Sequence, residues 1–178
     1  MKRTILIIIS ISVLLGCGYF VFYKINASKK LAAQEKKLTQ VSEEIWKCLS
    51  QPKEMVLYSL DPDNEDIKNT EKNVIFHNFK VLGSLKVESP EIQAKIVNEI
   101  KSAVSEIGRD FAKCFWPRHG VSVTDGNNVY DFVICYHCHT LYLYQGDAKI
   151  KEIVIGSSVE ILNGILKNAN VPLPEQAK

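Results

Sequence analysis

The chemistry this chain can offer is concentrated in one stretch. Cys114, Cys135 and Cys138 lie among His119, His137 and His139, and of the four histidines only His77 stands apart. Cys135-Tyr136-His137-Cys138 has the C-x2-C spacing of tetrahedral zinc sites, in which two thiolates turn onto one ion. Cys114 and His119 would complete a zinc set of Cys114, His119, Cys135 and Cys138. The surrounding residues oppose that use. The pair sits in a β-favouring run without Gly or Pro, and in an extended strand positions i and i+3 face opposite sides. Only a bulge or bend would bring the thiols together. A thioredoxin-like motif is further off, since it needs the first Cys at a helix N-terminus. Two other uses remain open: a disulfide from Cys114 to Cys135 or Cys138 in an oxidising compartment, and reduced thiols packed as small hydrophobes.

Trp116-Pro117-Arg118-His119-Gly120 reads as a tight corner. Arg118 there has two readings: pairing with a carboxylate such as Asp110 or Asp131, or an open contact for an anion. No Gly-rich phosphate cradle accompanies it, and no Gly-x-Ser-x-Gly, Walker, His-Glu-x-x-His or Rossmann pattern occurs. No catalytic residue and no organic cofactor is assigned.

The elements that must position these residues are β-rich. Met55–Ser59 and Val74–Glu88 favour strands, separated by the turn-rich 61–66, with Gly83 marking a turn or bulge. Ser89-Pro90-Glu91 is a strong helix start; Ile92, Ile96, Ile100, Ala103, Val104 and Ile107 then share one face up to Gly108. Phe111–Trp116, Val121–Thr124, Val129–Tyr144 and Lys149–Ile155 favour strands, with turns at 125–128 and 145–147. Sixteen residues from Val129 to Tyr144 would extend about 53 Å at ~3.3 Å each, so a bend is expected near Tyr136–His139. A helix from Ser157 or Ser158 to about Ala169 closes the domain. The fold class is α+β, an antiparallel sheet with helices packed on one face.

Two segments precede it. Thr4 to Tyr23 is twenty residues without a charge, about 30 Å of helix and the thickness of a bilayer core. Leu14-Leu15-Gly16-Cys17 also resembles a lipobox, with Cys17 as the lipidated residue. The equally apolar 18–23 and the following Lys24 favour an uncut span with an aromatic belt. A helix from about Lys29 to Ser50 then serves as an amphipathic stalk, capped by 26–28 and docking through Ile45, Trp46 and Leu49. Its Leu31, Leu38, Ile45 heptad, interrupted at Gln34, admits a parallel homodimer as the alternative. The domains are therefore 1–25 as membrane helix, 26–51 as stalk and 52–178 as the globular part.

Charge separates these pieces. The formal net charge is +2, but residues 1–37 hold seven Lys/Arg and one acid, whereas 38–178 hold fifteen against nineteen, a net of −4. A mildly acidic domain excludes the basic footprint of nucleic-acid binding. The positive-inside rule, counted literally, would leave the domain cytoplasmic; the short basic start favours export, and an extracytoplasmic domain is the expectation.

Four segments share a pattern: Tyr58-Ser59-Leu60-Asp61-Pro62, Phe76-His77-Asn78-Phe79 with Leu82-Gly83, Cys114-Phe115-Trp116-Pro117-Arg118-His119-Gly120, and Ile134-Cys135-Tyr136-His137-Cys138. In this order they resemble a bacterial group of small uncharacterised proteins with a signal peptide or membrane anchor. The group carries Ser-Leu-Asp-Pro, Phe-His-Gly-Trp, Cys-Phe-x-Pro-Arg-His-Gly and Ile-Cys-Phe-x-Cys. The chain departs at Asn78-Phe79, where the group has Gly-Trp, and at His137, often acidic there. The resemblance implies one domain and the convergence of Cys114, Arg118, His119, Cys135 and Cys138, and it supplies no reaction. The expectation is a single-pass membrane-anchored domain serving binding or a structural role. A metal-binding or thiol-active protein is the alternative, and an immunity or inhibitor protein is a weaker one.

Overall fold

The computed structural model describes residues 22–63, 74–106, 115–156 and 160–175. The chain divides into a unit before Leu38 and a second running from Leu38 to Lys178. In the first, residues 22–37 are helical, α1, with Phe22, Tyr23, Ile25 and Leu31 exposed. The cap expected at 26–28 is absent. Ser28 instead returns its hydroxyl to the Ile25 carbonyl inside the helix, a bond available to Ser in mid-helix.

The expected single stalk helix is broken. A second helix, α2 (Glu43–Ser50), starts afresh because Ser42 accepts the Ile45 N–H at its N-cap and Glu43 and Glu44 complement the helix dipole. Val41 is buried at the break, and Trp46 Nε1 donates to the Leu38 carbonyl at 3.0 Å. Ile45, Cys48 and Leu49 are buried, so α2 belongs to the globular unit, which begins before residue 52.

Among the described residues seven antiparallel strands form the sheet. They are β1 (Glu54–Asp61), β2 (Ile75–Phe76), β3 (Phe79–Lys86), β4 (His119–Thr124), β5 (Val129–Cys135), β6 (Thr140–Gln145) and β7 (Ala148–Val154). Their order is β2-β3-β1-β4-β5-β6-β7. Helix α3 (Pro90–Ser105) begins as the Ser-Pro-Glu signal requires, and α4 (Glu160–Asn168) closes the described fold. The α+β class therefore holds. Leu57, Val121, Phe132, Leu141 and Ile153 point to one side of the sheet and pack with Leu49, Ile96, Ile100 and Leu162 of the helices.

The other side carries a smaller cluster about Leu60, Phe76, Phe79 and Val133, joined by Tyr58, Phe115, Tyr142 and Tyr144. The β1–β3 register shifts between Ser59 and Leu60, whose partners are Gly83 and Val81, so the irregularity expected at Gly83 is a bulge. The run expected as one strand over 74–88 is in fact a hairpin. His77 and Asn78 form its tip with φ of 47° and 70°, the left-handed pair that a two-residue turn demands. The tip folds over the sheet: Phe76 stacks on Tyr58 above Gly120, and His77 stacks on Tyr144. His77 Nε2 donates to Asp131 Oδ2 at 2.7 Å.

A left-handed residue must be Gly or a side chain that tolerates the strain. Asn78→Gly should change stability by only a few tenths of a kcal/mol, and Asn78→Val should cost about 1–2 kcal/mol. Urea unfolding of the three proteins checks both values.

Candidate functional site

The site is built at the end of β5. The chain leaves the sheet at Cys135, turns through 136–139 and re-enters at Thr140, with His139 left-handed at φ 52°. The His139 N–H closes the turn onto the Tyr136 carbonyl at 3.3 Å. This is the bend expected near Tyr136–His139. It also removes the strand argument against the C-x2-C pair. Cys135 and Cys138 face each other with Cα atoms 5.3 Å apart and their sulfurs at disulfide distance. The Cys138 N–H donates to Cys135 Sγ at 3.1 Å and the Trp116 N–H to Cys138 Sγ at 3.3 Å. Both cysteines are enclosed, at 1% and 0% exposure.

The corner runs alongside. Residues 115–118 form no regular strand; Phe115 stacks on Tyr142 at 3.8 Å and Trp116 is 51% exposed. The Arg118 N–H donates to the Ile134 carbonyl, and its own carbonyl accepts from Leu60 N–H at 3.0 Å. Its backbone is thus fixed between β5 and β1, and its half-buried side chain makes no ion pair among the described residues. Asp131, one of the expected partners, is taken by His77; Asp110, the other, lies outside the described residues.

His119 turns to the helix side. It pairs with Ile134 on one flank and Ser59 on the other, and its Nε2–H donates to Asn163 Oδ1 of α4 at 2.9 Å. Its ring lies edge-on to Tyr136, 6.0 Å between centroids. His119 is fully buried, and burial, reinforced by the nearby Arg118 cation and only partly offset by the Asn163 bond, lowers its pKa to about 4. Tyr136 is shifted the other way, its phenol held far above the usual range by burial and by the Glu99 carboxylate.

Of the expected site residues, Cys135 and Cys138 meet each other, and Arg118 and His119 lie on the adjoining corner. Cys114 is outside the described residues, so its part in a disulfide or zinc set is not described. Among the described residues no group of three His, Cys, Asp or Glu converges as metal ligands. Cys17 and residues 4–21 of the apolar run are likewise outside; among the described residues no helix is long and apolar enough to cross a membrane.

Two polar contacts have little signature in the sequence. The His77–Asp131 pair had a signal, because Asn between two aromatic strand residues marks a two-residue turn. Asn163 had a fainter one, as the single amide inside the apolar stretch Ile161–Leu166. Comparison with protein-family models, curated proteins and solved structures finds no match.

The unfolded chain binds the His119 proton near pH 6.5, the folded chain only near 4. Unfolding therefore takes up a proton in that interval. The stabilisation is full above about pH 6.5 and is lost as pH falls towards 4, by about 3 kcal/mol. His119→Gln should flatten this part of the stability–pH curve in chemical denaturation.

Proposed function

We propose that the chain is a single-pass membrane-anchored protein whose α+β domain stands outside the cytoplasm and serves binding. The observation that carries this reading is the Cys135–Cys138 pair at disulfide distance, because such bonds persist in oxidising compartments and are rare in the cytosol. The uncharged run 4–23 supplies the tether, and the cationic and aromatic corner of Trp116 and Arg118 is the contact surface for an anionic group.

The C-x2-C spacing favours a second reading, thiol–disulfide exchange. Exchange needs a thiolate to reach one sulfur, and both cysteines are enclosed. That supports a structural staple over a redox centre. Closing so short a loop restrains the unfolded chain by about 2 kcal/mol in the chain-entropy account.

Alkylation of the full chain under denaturing conditions, followed by intact mass analysis, tests the staple. Cys135 and Cys138 should stay unmodified until a reductant is added, and the mass should include residues 1–24. Protease added to spheroplasts should digest the domain. A fully alkylated chain with a protected domain would overturn the reading, and a mature chain beginning at diacylated Cys17 would replace the span by a lipid anchor. The double variant C135A/C138A should lose about 2 kcal/mol of stability.

A further inference from the structure

We infer that α4 and the tail behind it form an acid-released cover, latched to the sheet through His119. The cover is the last element of the described fold, so it lifts without breaking a strand pairing. Helix α4 buries only Leu162 and Leu166 fully, and its bond to the sheet from a side chain is His119 Nε2–H to Asn163 Oδ1. Behind it, Val171 and Pro172 lie against Gly83, where a Cβ would collide with them. Gly83 and His119 are the two register neighbours of Ser59, so helix and tail cover one continuous seam across β3, β1 and β4.

That seam cannot host a charge. His119 donates from Nε2, so an added proton goes to Nδ1, which is buried without a partner. Among the described residues no carboxylate bonds to the ring, although the buried Ser59 hydroxyl is its register neighbour. Arg118 is a neighbouring cation; β1 and β3 contribute Ser59 and Gly83, neither ionisable, and α4 contributes the neutral Asn163. Tyr136 on the turn is held neutral, with the carboxylates of Glu99 and Glu106 acting on that phenol. A cation with no carboxylate at hydrogen-bond distance is stabilised by reaching water. The shortest way to water is removal of the element that encloses the ring, and chain-terminal elements with few buried residues open at the lowest free energy. Acid therefore lifts α4 before the sheet melts and exposes Ser59, His119 and Gly83 together.

Hydrogen exchange of the full chain in detergent, read by mass spectrometry and corrected for the intrinsic pH dependence, tests this. Between pH 7 and pH 4.5 the protection of peptides from 160–175 should fall at least tenfold, while β4 and β5 hold theirs and neutralisation restores the cover. His119→Gln should keep 160–175 protected at pH 4.5. Asn163→Asp, which gives the imidazolium a carboxylate, should move the release to lower pH and serves as the readout should His119→Gln leave β4 and β5 unprotected at pH 7. Loss of cover and sheet protection in step, or an unchanged release in the folded variants, would overturn the inference.

Discussion

The register of β5 is the constraint on which the other features hang. Six of its seven residues are buried, because both faces of the sheet are covered where β5 runs. Tyr130, Phe132 and Ile134 enter the helix-side core, while Asp131 and Val133 enter the aromatic side. A slip of one residue would exchange the two sets and bring Asp131 against the helices. The same register fixes where the strand ends, and so puts Cys135 at the mouth of the turn that returns Cys138 to it. The staple is a consequence of β5 as much as a restraint on it.

On each face of the sheet one buried polar side chain is tied to a peripheral element. Asp131 lies beneath the hairpin and is met by His77; His119 lies beneath α4 and is met by Asn163. Both partners come from elements remote in sequence, so each contact fixes where a peripheral piece sits. The pairs differ in chemistry. Asp131 is a carboxylate meeting an imidazole, whereas His119 meets a carboxamide and has a cation beside it.

Much of this was legible in the residues. The Ser89-Pro90 start, the turn at 125–128 and the bend at 136–139 are local chemistry, set by capping, turn propensity and strand length. In 74–88 Gly83 signals the bulge but the turn is hidden, because its tip is His-Asn and the strongest turn signal is Asn-Gly; the left-handed φ at Asn78 accepts either residue. The sequence signals an unbroken stalk because Leu38, Val41 and Ile45 keep helical spacing. What breaks it is the Ser42 cap together with burial of Val41 in a core no local pattern announces. Strand geometry separates the two cysteines only within β5 and fails one residue past its end. His119 is near the cysteines in sequence, yet strand alternation sends it to the helix side.

The sheet's edges bear on how such a domain would meet a partner. A free edge strand invites pairing with another chain, and this fold blunts both of its edges. At one end β2 has two residues. At the other, β7 is largely exposed but carries Lys149 and Lys151, and Lys149 lies over the Tyr142 ring at 4.0 Å while reaching Glu152. Charges that would be forced against an incoming strand oppose edge-to-edge association. Under the proposed binding role, a partner would be met by side-chain surfaces and not by backbone pairing. Among these the corner at Trp116 and Arg118 differs in having its backbone fixed on both sides, by β1 and β5. A fixed backbone lowers the ordering cost of binding, and an exposed indole beside an arginine supplies both contact area and a directed charge.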